Sequence, residues 1–250
     1  MSEFTDPVTG ADAVGDPHAP AVGGAGWSDG AGQSDAGETG AKSDDGAVNE
    51  TGTTTVGIAT DEGVVVATDR RASLGGRFVS NKSVQKVEQI HPTAVLTLVG
   101  SVGGAQSFVR TLRAEADLYE VERGDPMRIH ALATLAGNFA RGGPWFAINP
   151  VLAGVDDEGA HVYSVDPAGG VMADDYTVTG SGMQLAYGTI EGEYDREMSL
   201  ADARDLAVRA VEAASARDTG SGNGVYVATV TGDGVDIEGF DETADALAPR

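Results

Sequence analysis

Thr53 follows Gly52 at a seam in the chain, in the run Gly52-Thr53-Thr54-Thr55-Val56-Gly57-Ile58. A small residue before Thr at such a seam invites cleavage of the Gly52–Thr53 bond. A terminal Thr then carries its own amine beside its hydroxyl, so nucleophile and base share one residue. The plainer alternative is that Thr53 to Thr55 only opens a β-strand, since Thr suits strands. A Thr hydroxyl is a poor nucleophile at neutral pH. It needs a base, a charge that tunes the base, and donors for the developing oxyanion. An α-amine, with an unperturbed pKa of about 8, lies close to working pH. A cation held nearby lowers it further.

Lys82 and Lys86 are the only lysines after the seam, and both fall in one stretch behind the first hairpin. Lys is a compact point charge that Arg does not replace at a catalytic site; the alternative is a solvated loop Lys. A buried Lys wants a carboxylate, and Asp69, ending an apolar run, is the natural partner or else a hairpin-end surface charge. The run that ends at Gly100-Ser101-Val102-Gly103-Gly104 offers a backbone N–H as an oxyanion donor, or is only a tight turn. Gly180-Ser181-Gly182 and Asp218-Thr219-Gly220-Ser221-Gly222 are two further polar elbows beside helix ends. Either also reads as a helix cap, and neither fits the full phosphate-loop pattern.

These residues need rigid elements to hold them. Two strands are read over 53–69, turning at Asp61-Glu62-Gly63. Residues 72–92 read as an irregular connection, followed by a strand from Ala94 to Val99. Apolar residues at helical spacing predict helices over about Ala105 to Glu122 and Met127 to Arg141. Strands follow at Phe146 to Val155, Ala160 to Asp166 and Val171 to Val178. A helix to about Tyr194 comes next, then a long one N-capped by Ser199. A last hairpin spans Val225 to Val230 and Val235 to Ile237. Two sheets, each covered by helices, bury every apolar face. The fold class is α+β, a four-layer αββα sandwich over 53–240.

Residues 1–52 differ in kind. They hold ten acids against Lys42, with much Gly and Ser and apolar residues that are mostly Ala. Such a segment cannot bury enough surface to offset its ordering entropy, and it reads as a disordered acidic pro-segment or an inert arm. Residues 241–250 read as a flexible acidic tail. Over the whole chain 39 acids face 16 bases, for a net charge of −23. That excludes a general nucleic-acid binder and docking on an anionic membrane. An acid-rich, Lys-poor chain fits work in concentrated salt, where repulsion is screened and carboxylates keep the surface hydrated. Cys is absent, so no disulfide, thiolate metal site or Cys nucleophile is available. No apolar run approaches a membrane span and no secretory signal opens the chain, so the expected location is cytoplasmic.

The folded part resembles a β-type subunit of the 20S proteasome, of the archaeal kind. The resemblance rests on Gly52-Thr53-Thr54-Thr55-Val56-Gly57, Ala67-Thr68-Asp69-Arg70-Arg71-Ala72, Lys86 in its loop, and Gly100-Ser101-Val102-Gly103. It continues through His161-Val162-Tyr163-Ser164-Val165, Asp166-Pro167-Ala168-Gly169-Gly170, Thr179-Gly180-Ser181-Gly182 and Arg217-Asp218-Thr219-Gly220-Ser221-Gly222. Each motif is weak alone; the ordered set, covering nearly all of 53–240, is specific.

The resemblance implies an N-terminal-nucleophile (Ntn) hydrolase fold and a threonine endopeptidase. Thr53 would be the nucleophile and its freed amine the general base. Lys86 would tune that base, Asp69 would pair with Lys86, and the Gly100 N–H would serve as oxyanion hole. Ser181, Asp218 and Ser221 would support the Thr53 amine. A substrate pocket of Ala72, Val84, Leu98 and Val102, with Glu88 near, would favour cleavage after hydrophobic residues. Self-cleavage at Gly52–Thr53 would remove 1–52 on assembly with α-type and other β subunits into stacked rings. A regulatory ATPase would feed unfolded proteins through the α rings. No metal or cofactor is implied. The one departure is the elbow Asp218-Thr219-Gly220-Ser221-Gly222-Asn223-Gly224, Gly-rich enough to be looser. The main alternative is a structural ring subunit of the same fold without catalysis. Another amidohydrolase of that fold, or a plain acidic binding module, fits the ordered motifs less well.

Overall fold

The computed structural model describes residues 52–143 and 148–247. Expectations for residues 1–51, Phe146 and 248–250 lie outside the described residues.

The first hairpin forms as its alternation predicts. β1 (Thr54–Ala59) pairs antiparallel with β2 (Val64–Asp69), Thr55 opposite Thr68 and Ala59 opposite Val64. Both strands are buried on both faces, and their side chains alternate between two cores. Val56, Ile58, Val65 and Ala67 point to one apolar cluster; Val64, Val66 and Ala59 point to another.

β1 and β2 are central in a five-stranded sheet of order β10-β1-β2-β11-β12, with β10 Tyr176–Gly180, β11 Val225–Thr231 and β12 Gly234–Phe240. A second five-stranded sheet runs β5-β6-β7-β8-β9. Its strands are β5 (Val87–His91), β6 (Ala94–Thr97), β7 (Val151–Asp156), β8 (Gly159–Val165) and β9 (Val171–Asp174). The sheets meet through Val64, Val66, Val87, Val95, Val151, Val162 and Val230. Each fully buried side chain of this size contributes about 1.5–3 kcal/mol. Gly57 lets the sheets approach: a Cβ there would lie 2.8 Å from Val151 Cγ1.

Helices cover the outer faces. α1 (Val102–Arg123) and α2 (Ile129–Gly142) bury Phe108, Leu112, Ile129 and Leu132 against the second sheet. α3 (Met183–Ile190) and α4 (Leu200–Ser215) bury Ile190, Leu206 and Val211 against the first. The order of layers is helix, sheet, sheet, helix, the αββα sandwich read from the sequence. Ser199 caps α4 as expected, its hydroxyl accepting from the Asp202 N–H at 3.1 Å.

Three readings are corrected. The run Val171 to Val178 is not one strand: β9 ends the second sheet, β10 edges the first, and the chain changes sheets at Asp175. The Asp175 carbonyl accepts from Ala59 N at 2.8 Å and its carboxylate from Arg196 at 2.8 Å, which anchors the crossing. Residues 72–92 are not irregular throughout. They hold a hairpin, β3 (Ala72–Leu74) with β4 (Phe78–Asn81), and then β5. Gly75 and Gly76, at φ 55° and 65°, turn that hairpin in a conformation Gly enters without strain. Finally, residues 241–247 do not form a loose tail. Over Asp241–Leu247 the chain packs back through α5 (Thr243–Ala246), with Ala246 buried in the α4 core.

Candidate active site

β1 begins one residue after Thr53, so the start of a central strand of the first sheet fixes where the Thr53 side chain sits. β2 ends at Asp69, and β1–β2 pairing brings that carboxylate beside Thr53. Lys86 sits just before β5 of the second sheet. The three side chains converge where the two sheets meet, all buried: Thr53 1% exposed, Asp69 0% and Lys86 3%. The Thr53 hydroxyl donates to Asp69 Oδ1 at 2.9 Å and accepts from Lys86 Nζ at 2.6 Å. Lys86 Nζ also donates to Asp69 Oδ1 at 2.8 Å.

Asp69 is held from all sides. Its Oδ1 also accepts from the Thr54 N–H at 3.0 Å, and its Oδ2 accepts from the N–H groups of Arg71 and Gly222, each at 2.9 Å. Burial lowers the proton affinity of Lys86 below that of an ordinary lysine; Asp69 opposes this and the Arg71 charge adds to it.

On the other side of Thr53, its backbone nitrogen donates to Ser181 Oγ at 3.1 Å. Ser181 in turn donates to Asp218 Oδ2 at 2.6 Å, as does Ser221. Ser221 reaches Thr54 rather than Thr53 directly, its Oγ lying 2.7 Å from Thr54 Oγ1. The network is therefore Asp218 to Ser181 to Thr53, with Ser221 bracing the next residue.

The elbow that looked loose is tied down. The Gly220 N–H bonds back to Asp218 Oδ1 at 3.2 Å and the Gly222 carbonyl accepts from Arg70 N at 3.1 Å. The Gly222 N–H contact with Asp69 fixes it to the buried pair.

Beside this cluster opens a cleft of about 540 Å³, lined by Gly52, Gly100, Ser181 and Asp218 among others. Gly100 stands at φ 94° and bridges to Ile148. Ala72, Val84, Leu98 and Val102 do not line this cleft. Ala72 is buried in β3, Leu98 packs against the helix-covered core, and Val102 opens α1 at 42% exposure. The cleft instead adds Val99, Ile148, Asn149, Pro167, Thr219 and Gly220. Of these, Gly220 carries a contact that no local pattern encodes. A Cβ on Gly52 would lie 2.4 Å from Gly220 Cα and 3.1 Å from Ser181 Oγ. Two glycines pass each other there because neither has a side chain. Gly52→Ala is expected to push the residue before Thr53 away from Gly220; if the chain is cut at Gly52–Thr53, that displacement slows loss of residues 1–52 by on the order of 100-fold, since small misplacements of reacting groups have large kinetic effects. A time course of intact mass reads it.

Among the described residues no cluster of His, Cys, Asp and Glu is arranged to hold a metal ion, and no helix is long and apolar enough to cross a membrane.

Two antiparallel sheets packed between helix pairs, with a Thr at the seam where they meet, define an α+β sandwich of the Ntn-hydrolase kind. The family profile of proteasome subunits matches residues 49–230. The chain is 77% identical over 195 residues to a proteasome subunit beta of Halomicrobium mukohataei, covering 78% of this chain and 82% of that protein. It is 74% identical over 199 residues to proteasome subunit beta 2 of Haloarcula marismortui, covering 80% and 86%. With a proteasome subunit beta of Halorhabdus utahensis it shares 66% identity over 232 residues, 93% and 94% of the two chains. The chain belongs to the proteasome subunit family, on the β side and among halophilic archaea. The acid-rich, Lys-poor composition accords with that setting.

Proposed function

We propose that this β subunit is a catalytic one, a threonine endopeptidase made by its own cleavage at Gly52–Thr53. The observation that carries the reading is the Thr53 hydroxyl, buried between Lys86 Nζ and Asp69 Oδ1 at 2.6 and 2.9 Å. A buried ion pair incurs a desolvation cost that well-packed apolar residues avoid. A purely structural subunit has no use for one at this position.

In the uncut chain Thr53 has no free amine. Its hydroxyl oxygen attacks the Gly52 carbonyl carbon and passes its proton to the Lys86–Asp69 pair. The C–N bond then breaks, the Thr53 nitrogen takes up a proton, and residues 1–52 remain as an ester on Oγ1. Water hydrolyses the ester, leaving a carboxylate on Gly52 and a free hydroxyl and amine on Thr53. The new amine forms already within reach of Ser181 Oγ, which Asp218 orients. In peptide hydrolysis the amine serves as general base through a water, and Lys86 keeps it unprotonated by its charge. Gly100, at the cleft wall, supplies an N–H to the oxyanion. The substrate residue before the scissile bond enters the cleft beside the Thr53 cluster, where Val99, Ile148 and Pro167 favour apolar side chains. In this reading the subunit works in the cytoplasm, within stacked rings that include α-type subunits, on unfolded chains delivered by an ATPase.

The test is a peptide panel with hydrophobic, acidic and basic residues before the cleaved bond, run on the assembled particle in molar KCl. Hydrolysis led by the hydrophobic peptides supports the proposal. An assembled particle with Thr53 at its N-terminus that cleaves none of them sinks it.

A further inference from the structure

Asn223 is the one described residue other than Gly with a left-handed backbone, at φ 66°. Gly enters this region freely, whereas Asn does so at some cost and repays it through its side chain. That side chain is engaged here, Asn223 Oδ1 accepting from Arg71 Nε at 3.0 Å. Arg71 Nη1 donates to the Thr219 carbonyl at 3.0 Å. The guanidinium lies across Gly222, where a Cβ would come within 2.5 Å of Nη2. One planar cation thus grips both limbs of the elbow that bears Asp218 and Ser221. The same two residues, Arg71 and Gly222, give their backbone N–H groups to Asp69 Oδ2.

We propose that Asn223 and Arg71 form a clamp that positions the Asp218–Ser221 elbow against Asp69, making Asn223 a positioning residue for the Thr53 site. The inference rests on the threonine-protease reading. Asn223 touches none of the reacting groups. It acts through Arg71, whose side chain and backbone span the two halves of the network around Thr53. Without the Oδ1 acceptor, the guanidinium keeps only the Thr219 carbonyl, and the elbow gains freedom at Asp218. The Ser181 contact that orients the Thr53 amine then loosens. Such a change lowers kcat more than it raises KM.

The experiment compares assembled wild-type, Asn223→Gly and Asn223→Asp particles. Gly suits φ 66° better than Asn, so the first variant removes the acceptor without backbone strain. Asp restores an acceptor for Arg71. The readouts are kcat and KM separately, the fraction of chains starting at Thr53, and the thermal midpoint. The expected result for Asn223→Gly is a fall in kcat, counted per chain that starts at Thr53, on the order of 10-fold, larger than any change in KM and with the thermal midpoint unchanged. Asn223→Asp recovers kcat. Wild-type kcat in Asn223→Gly overturns the clamp. So does a loss that follows a lower thermal midpoint and is not recovered by Asp. A processed wild-type particle without hydrolytic activity overturns the protease reading, and the positioning role with it.

Discussion

Thr53→Ala leaves the chain uncut at Gly52–Thr53 and abolishes peptide hydrolysis by the assembled particle. Both losses follow from one atom. Oγ1 is the only hydroxyl oxygen held between Lys86 Nζ and Asp69 Oδ1 among the described residues. Thr54 and Thr55 cannot stand in for it. Thr54 Oγ1 is engaged with Ser221, and Thr55 Oγ1 pairs with Thr179 across the β1–β10 ladder at 2.8 Å. Assembly should survive, because Thr53 adds no apolar surface to either core. Hydrolysis left in that variant would remove Thr53 from the role of nucleophile.

The second large effect belongs to the buried pair. Asp69→Asn replaces a carboxylate that accepts five hydrogen bonds: three at Oδ1 and two at Oδ2. An amide has one oxygen, so its NH₂ must face N–H groups or Lys86. Breaking a buried pair by removing one partner costs about 3–5 kcal/mol. Hydrolysis falls on the order of 1,000-fold, the usual scale for losing a proton-handling group. Chains started directly at Thr53 separate this loss from failed processing.

Lys86→Met gives a complementary readout. Burial depresses the Lys86 pKa, so the folded chain sheds this proton before the unfolded chain does. The stability linked to Lys86 is present above the ordinary lysine value and is lost as pH falls through the folded value. Denaturation midpoints across the alkaline range should flatten in Lys86→Met. An unchanged pH dependence would mean that Lys86 titrates as an ordinary surface amine.

Much of this architecture was legible because it is periodic. β1 alternates, β2 is a short apolar run after the Asp61-Glu62-Gly63 turn, the α1 and α2 stripes are regular, and Ser199 announces α4. The failures share a cause. Val171 to Val178 holds no Gly or Pro to mark a break, and only the pairing of Asp175 with Ala59 and Arg196 shows where the chain changes sheets. α5 is too short to have a period, and its burial depends on α4 lying beneath it.

The site divides the same way. Thr53, Asp69 and Lys86 stand out by type and placement. Ser181, Asp218 and Ser221 were visible only as polar elbows until an ordered resemblance gave them roles. The Arg71–Asn223 contact spans 152 positions in sequence, and the passage of Gly52 beside Gly220 is a matter of steric room. Neither leaves a local pattern to read.

The claim that most of this depends on is that the Gly52–Thr53 bond is a lock opened by the chain itself. Intact mass of the purified, assembled particle tests it most directly. The prediction is a β chain with the mass of residues 53–250 and an N-terminal Thr, with no full-length species remaining. A fully assembled particle that keeps residues 1–52 on every β chain would contradict it.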